Sequence, residues 1–218
     1  PMEDEAFTEF HITPRKVASI IKLRRNFVND AKFDLEKALL LEFAKRFGSA
    51  EEAAFLLGDG AAEPTGLLSA TGGAVVGVTA SSADTIAFDD VIKLFFSVEA
   101  SYRRNAVWLM SDETALLLRT MKDADGNYLW RISDDTILGR PVETSPFMPQ
   151  IASGAKPILF GDLSYFWLFR RSALSIRIIR ETFLPVGAIG FRATERIDGH
   201  LIDPKAVKVL QNRESEEA

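Results

Sequence analysis

The stretch NDAKFDLEKALLLEFAKRFGSAEEAAFLLGDG, residues 29–60, organises the rest of the chain. Asn29 or Asp30 is a good helix N-cap, and Gly58 and Gly60 supply a stop signal. A helix of about 27 residues would be about 40 Å long. Such a length indicates a central helix on which sheets are laid, although periodicity alone also fits an ordinary amphipathic core helix. Apolar residues recur along it at helical spacing, at Leu35, Leu39, Phe43, Phe47, Ala50, Ala54 and Leu57.

The composition of the chain limits the classes of protein to which it can belong. The chain has 218 residues, of which 47% are hydrophobic, enough for one large core or two modest ones. Its net charge of −5 argues against a dedicated nucleic-acid binder. With no cysteine, disulfides and thiolate metal sites are excluded. The acidic first residues do not resemble a signal peptide, and no apolar run reaches the roughly 18 residues that span a bilayer.

The order of the predicted elements indicates an α+β fold, because helices dominate the first part and strands the last quarter. Residues 1–14 form an extended acidic arm, and residues 17–23 a short strand. A second helix is predicted over 84–102, a buried strand over 106–110 and a helix capped by Ser111. The segment 123–127 is a tight turn before a strand at 128–130. A strand predicted at 136–142 is interrupted by a Gly-Arg-Pro turn. Further strands are predicted at 158–160, 165–170, 174–180, 189–197 and 206–210.

No residue pattern indicates catalysis. The two histidines, His11 and His200, are far apart, and DADGN at 123–127 lacks the spacing of a calcium loop. The segment 58–60 ends a helix, whereas phosphate sites lie where helices begin. Glu195 on a strand is more simply a paired or exposed charge than an acid/base group. The sequence therefore predicts no catalytic, cofactor-binding or metal site.

Charge is distributed unevenly along the chain. The acidic arm carries Glu3, Asp4, Glu5 and Glu9. The C-terminal β region is locally basic, with Arg170, Arg171, Arg177, Arg180, Arg192 and Arg196. Two interpretations stay open: a surface for nucleic acid, or complementary pairing between neighbouring copies of the chain that steers assembly.

Five segments, in order, resemble the major capsid proteins of tailed double-stranded DNA bacteriophages with the Hong Kong 97 fold. FLLGDGAAEPTGLL (55–68) resembles that family's helix end and the loop after it. AVWLMSDETALLLRTMKDADGNYLW (106–130) resembles its strand, helix and turn. LGRPVETSPFMP (138–149), ILFGDLSYFWLFRR (158–171) and FRATERIDGHLIDPKAVKVL (191–210) resemble its later strands.

The resemblance implies an architecture. Residues 1–16 would be the remnant of an extended loop and arm, the E-loop. Residues 17–68 and 170–205 would form the peripheral domain with its spine helix, and residues 69–169 and 206–218 the axial domain. Because the chain begins with Pro1, we expect it to be N-terminally truncated. Since arm and loop contacts would then be missing, we expect this chain not to close shells by itself. The resemblance also implies a prophage origin.

The resemblance also implies a function: a structural, non-enzymatic shell protein that forms hexamers and pentamers of an icosahedral virion capsid. It would need no cofactor and would not associate with a membrane. Assembly would take place in the host cytoplasm with a scaffold, a portal and a maturation protease. The shell would enclose double-stranded DNA without binding it specifically. Some members crosslink a lysine to a neighbour's asparagine with help from a glutamate. Glu195 matches the glutamate, but Lys16 lies past the loop position and Asn212 lies in the tail, so noncovalent contacts are expected. The alternatives are an encapsulin-type nanocompartment and an α+β enzyme or ligand-binding domain.

Overall fold

A computed structural model of the chain describes residues 12–130 and 135–215. The chain divides into two compact units. The first unit comprises Pro1–Gly48 and Leu168–Asp198, and the second comprises Ser49–Trp167 and Gly199–Ala218. The predicted acidic arm lies mostly outside the described residues.

Helices and strands alternate irregularly along the described residues. In chain order they are β1 (Arg15–Arg24), α1 (Arg25–Asp30), α2 (Leu35–Leu57), β2 (Val75–Thr79), α3 (Phe88–Ser97), α4 (Ala100–Arg103), β3 (Val107–Met110), α5 (Asp112–Thr120), β4 (Thr136–Ile137), β5 (Arg140–Thr144), β6 (Ile158–Gly161), β7 (Phe166–Ile179), β8 (Ala188–Leu201) and β9 (Val207–Gln211). Short 3-10 turns at Leu163–Tyr165 and Leu184–Val186 flank β7 and β8. The predicted α+β class is confirmed.

The long helix begins later than the sequence predicts. Asn29 and Asp30 end α1 instead of capping α2, so the predicted N-cap is wrong. The cap role falls to Asp34, whose Oδ1 accepts a hydrogen bond from the Lys37 amide at 3.0 Å. The helix still runs for 23 residues and ends at Leu57, next to the predicted glycine stop.

The first unit is built on a three-stranded sheet in the order β1-β8-β7. Strand β1 pairs antiparallel with β8, so that Lys16 faces Arg196 and Ile21 faces Phe191. Every second residue of β1 is partly buried, which places Val17 and Ile21 against the core. That core also contains Leu39, Phe43, Phe47, Phe191 and Ala193.

The second unit contains a six-stranded mixed sheet in the order β2-β9-β6-β3-β5-β4. Strands β2 and β9 pair in parallel, as do β3 and β5, whereas β6 is antiparallel to both of its neighbours. Trp108 and Phe160 lie in one core of this unit, with ring centroids 4.1 Å apart. Leu159 and Val209 lie in another, so side chains from the central strands fill both.

Four predicted elements differ from the observed ones. The predicted helix over 84–102 is divided into α3 and α4, because Val98 and Glu99 adopt extended backbone. The strands predicted at 165–170 and 174–180 are one continuous strand, β7. The strand predicted at 128–130 is wrong, since Tyr128 makes only an isolated bridge to Lys122.

Candidate assembly surfaces

A cationic cleft lies on the sheet of the first unit. Lys16, Arg177, Arg192 and Arg196 line it, together with Ser172, Ser175, Thr194 and Glu195, around a volume of about 210 Å³. The hydroxyls of Ser175 and Thr194 lie 3.1 Å apart and join β7 to β8. Because β1 and β7 lie on either side of β8, the fold gathers cations that are distant in sequence.

The only carboxylate lining this cleft is buried. Glu195 is 3% exposed, and its Oε2 lies 3.7 Å from Nε of Arg170. A buried carboxylate that lies next to a guanidinium is a structural ion pair rather than a free acid or base. Four cations therefore surround one carboxylate, and the cleft favours an anion.

An apolar groove lies in the first unit. Its volume is about 500 Å³. It is lined by Val28, Leu35, Glu36, Leu39, Leu40, Ile176, Ile178, Arg180, Ile189 and Phe191. Leu40 and Ile178 remain 45% and 54% exposed, which leaves uncovered apolar surface between the start of α2 and strand β7.

The start of β1 is fixed by a buried carboxylate on β8. The amide of Thr13 donates to Oδ2 of Asp198 at 2.7 Å, and Nη1 of Arg15 lies 3.7 Å from Oδ1. Asp198 is fully buried. The bond holds Thr13, which precedes β1, against β8.

Other polar residues singled out from the sequence serve the fold. Asp59 accepts backbone hydrogen bonds from Ala61, Ala62 and Glu63, which lower the pKa of its carboxyl and hold the loop after α2. Asp123 accepts hydrogen bonds from the backbone and side chain of Asn127, which likewise lower its pKa. The turn predicted at 123–127 is therefore confirmed.

The remaining candidates are not brought into a reactive cluster. Asn212 is 1% exposed, and its amide donates to the carbonyl of Ala83 at 2.7 Å. His200 lies on β8, and His11 lies outside the described residues. No group of three or more potential metal ligands occurs within residues 12–130 and 135–215. Over the same residues, no helix is long and apolar enough to cross a membrane.

The sequence identified the arginines of the cleft but not their grouping with Lys16, Ser175 and Thr194. The grouping follows from the pairing of the strands, which places Lys16 on β1 opposite Arg196 on β8. That pairing depends on strand register, which is known only once the sheet is seen.

Comparison with protein families matches residues 1–212 to the phage capsid family. This chain belongs to the phage capsid family. It is a structural capsid protein with the Hong Kong 97-type fold, and both of these expectations from the sequence are confirmed. Comparison with curated proteins gives no match.

Solved structures agree with the family. The capsid of an empty GTA particle is similar with a TM-score of 0.84 and 31% identity, over 98% of this chain and 80% of that one. The capsid of the native GTA particle gives 0.84 and 30% over the same shares. A structure from Mycobacterium phage Bobi is similar in fold alone, with a TM-score of 0.67 and 17% identity, over 94% of this chain and 73% of that one.

Proposed function

We propose that copies of this capsid-family chain self-assemble into hexamers and pentamers that close into an icosahedral phage head around double-stranded DNA. The observation that carries the proposal is the similarity to an assembled GTA capsid over 98% of the chain. Each contact between copies can be weak, because many repeated contacts add up to a stable shell. The overall charge of −5 suits a container that holds DNA without gripping it.

The domain assignment is part of the proposal. Residues 17–68 and 170–205 form the peripheral domain, and residues 69–169 and 206–218 form the axial domain. The separation of the chain into two compact units supports this division, although the unit boundaries lie at Gly48 and Asp198. In this assignment α2 is the spine helix, and residues 1–16 belong to the extended loop and arm.

The shell is noncovalent and the protein is not an enzyme. Support comes from the positions of the residues that a crosslink would use: Asn212 is buried and hydrogen-bonded, and Glu195 is held by Arg170. Scaffold, portal and maturation protease assist assembly in the host cytoplasm, and the product is the virion capsid.

Particle mass and nucleic-acid content test this function. The protein is expressed from its complete reading frame, and particles are isolated by sedimentation and treated with nuclease. Particles in the megadalton range that protect double-stranded DNA from the nuclease support a phage head. Uniform small shells that contain a cargo protein and no DNA indicate an encapsulin-type compartment instead. A stable monomer under every salt condition contradicts both.

A further inference from the structure

The cationic cleft on the sheet of the first unit lacks counter-charges. Its cations come from all three strands, β1, β7 and β8: Lys16, Arg177, Arg192 and Arg196. Within residues 12–130 and 135–215, none of these four side chains forms an ion pair. Because like charges around one small cavity repel one another, a bound anion would relieve an unfavourable arrangement.

The carboxylates of the sheet are already held by other arginines. Glu195 and Asp198 are the only acidic residues on β1, β7 and β8. Glu195 lines the cleft, but its Oε2 lies 3.7 Å from Nε of Arg170. Oδ1 of Asp198 lies 3.7 Å from Nη1 of Arg15. Arg15 and Arg170 are not among the residues that line the cleft, so its own cations keep their charge uncompensated.

Strand pairing arranges these cations around two hydroxyl groups. Lys16 on β1 is opposite Arg196 on β8. Because alternate residues of a strand share a face, Arg192, Thr194 and Arg196 lie on the same side of the sheet. The Thr194 hydroxyl lies 3.1 Å from the hydroxyl of Ser175 on β7. The two hydroxyls are therefore flanked by arginines along β8.

Hydrogen-bond donors in the cleft are available to a ligand. When the Ser175 hydroxyl donates to Thr194, the hydrogen of the Thr194 hydroxyl is left for another acceptor. Nε of Arg192 is buried and has no hydrogen-bond partner in the described part of the chain. Buried N–H groups are normally satisfied in folded proteins. The unsatisfied donor and the surplus positive charge both indicate a ligand that is rich in acceptor oxygens.

The size of the cleft limits which anion fits. Its volume of about 210 Å³ suits a small anion, whereas a DNA duplex can only lie across its mouth. A carboxylate brings one negative charge to four cations. A phosphoryl group carries about −1.5 to −2 charges on three acceptor oxygens, and arginine binds it through two parallel hydrogen bonds. Phosphate chemistry therefore matches the charge of the cleft in a compact volume.

We propose that the cleft binds a phosphate-class oxyanion, with Lys16, Arg177, Arg192 and Arg196 supplying the positive charge and the Thr194 hydroxyl a hydrogen bond. The bound group is a free diphosphate or triphosphate or a phosphate of nucleic acid, which share the chemistry that the cleft recognises. The site lies within one chain, so the inference does not depend on the assembly proposed above.

Calorimetric titration of the full chain with inorganic pyrophosphate tests the site. At low ionic strength and without divalent cations, we expect one saturable site per chain. In K16Q/R177Q/R196Q, whose changed side chains are all exposed, the affinity should fall at least about tenfold, because three charged donors are lost. Absence of pyrophosphate binding to the wild-type chain, or equal affinity in the variant, overturns the proposal.

A matched variant separates the cleft from the general charge of the chain. K32Q/K45Q/K205Q removes the same number of positive charges at exposed positions outside the cleft. Its affinity for pyrophosphate should stay within about twofold of the wild-type value, because salt screens distant surface charges. An equal loss of affinity in the two triple variants would show diffuse attraction and overturn the proposal.

Hydrogen-bond geometry is tested separately from charge. Arg192→Lys keeps the charge but removes the planar guanidinium, so the affinity should fall at least about threefold. A peptide of three glutamates should bind at least about tenfold more weakly than pyrophosphate, because its carboxylates are spread along a chain and bring one charge each. Unchanged affinity in Arg192→Lys, or equal binding of the glutamate peptide, would mean that charge alone attracts the ligand, which overturns the proposal.

Competition identifies the source of the phosphate. Displacement of bound pyrophosphate by a short DNA duplex assigns the site to nucleic-acid phosphate, whereas retention of pyrophosphate assigns it to free phosphates, and both results support a phosphate site. Binding of the duplex by a wild-type chain that does not bind pyrophosphate overturns the proposal.

Thermal unfolding supplies a second measurement. Because a ligand that binds only the folded state stabilises it, pyrophosphate should raise the Tm of the wild-type chain more than sodium chloride does at equal ionic strength. The additional increase should be absent in K16Q/R177Q/R196Q, and circular dichroism checks that each variant folds. Equal effects of the two salts on the wild-type chain overturn the proposal.

Discussion

The hydroxyl of Tyr102 donates a hydrogen bond to Oδ2 of Asp203 at 2.6 Å in the second unit. The Tyr102 ring also meets Tyr165 edge-on, with centroids 5.1 Å apart. The bond links the end of α4 to the loop before β9. The hydrogen bond to Asp203 is the main cause that raises the pKa of Tyr102 to about 12, and burial adds to it.

This bond predicts a loss of stability at alkaline pH. The pKa of Tyr102 is higher in the folded state than its ordinary value of 10.0, so folding favours the neutral phenol. The contribution is complete below pH 10 and is lost as the pH rises towards 12. Absorbance at 295 nm should show one late-ionising tyrosine that is missing in Tyr102→Phe.

The stability difference between wild type and Tyr102→Phe should shrink over the same interval, as measured by urea unfolding at several pH values. A difference that stays constant from neutral pH to above pH 11 would show that the hydrogen bond does not depend on the protonated phenol. Tyr128→Phe is the control, because Tyr128 is exposed and takes no part in the hydrogen bond between Tyr102 and Asp203.

Two glycines predict opposite effects of the same substitution. A Cβ on Gly66 would lie 2.6 Å from both the Gly58 amide nitrogen and the Leu56 carbonyl oxygen, so Gly66→Ala forces backbone atoms apart. A Cβ on Gly48, inside α2, would have no atom within 4 Å. We expect Gly48→Ala to stabilise by about 0.5–1 kcal/mol and Gly66→Ala to destabilise by more than that.

Thermal unfolding of the two glycine variants provides the comparison. Both substitutions replace a hydrogen atom on Cα by a methyl group, so the comparison between them reports the space around each glycine. Equal shifts in Tm, or a more stable Gly66→Ala variant, would mean that the loop after α2 does not pack as closely as described.

Asp198 predicts how firmly the start of β1 is held. Asp198→Ala removes the acceptor of the Thr13 amide and the charge next to Arg15, and should cost about 1–3 kcal/mol. Asp198→Asn keeps an acceptor oxygen and should cost less than half as much. Chemical denaturation measures both, and hydrogen exchange of the Thr13 amide should accelerate in the alanine variant only.

The helices show which parts of the fold are readable from sequence. The stripe from Leu39 to Phe47 identified α2 because a long helix repeats its apolar spacing many times. Ser111 was identified as a cap, and its Oγ accepts from the Thr114 amide at 3.3 Å. The start of α2 was missed because Asp34 competes with Asn29 and Asp30 as a cap, and all three suit the role locally.

Sheet organisation was harder to predict because it depends on distant pairings. The sequence predicts two strands where β7 is continuous, because a strand exposed on both faces lacks a regular alternation of apolar and polar residues. Val75 on β2 pairs in parallel with Lys208 on β9, and no local pattern records such a partner. The cleft likewise contains residues from three strands. The sequence shows its cations, but their grouping requires the order of the strands in the sheet.

Electron microscopy of the protein expressed from its complete reading frame tests the central claim most directly. Negative-stain images should show hexameric and pentameric rings, and angular shells of uniform diameter once scaffold and protease are present. A uniform population of monomers or dimers across low and high salt would contradict the assignment as a self-assembling shell protein.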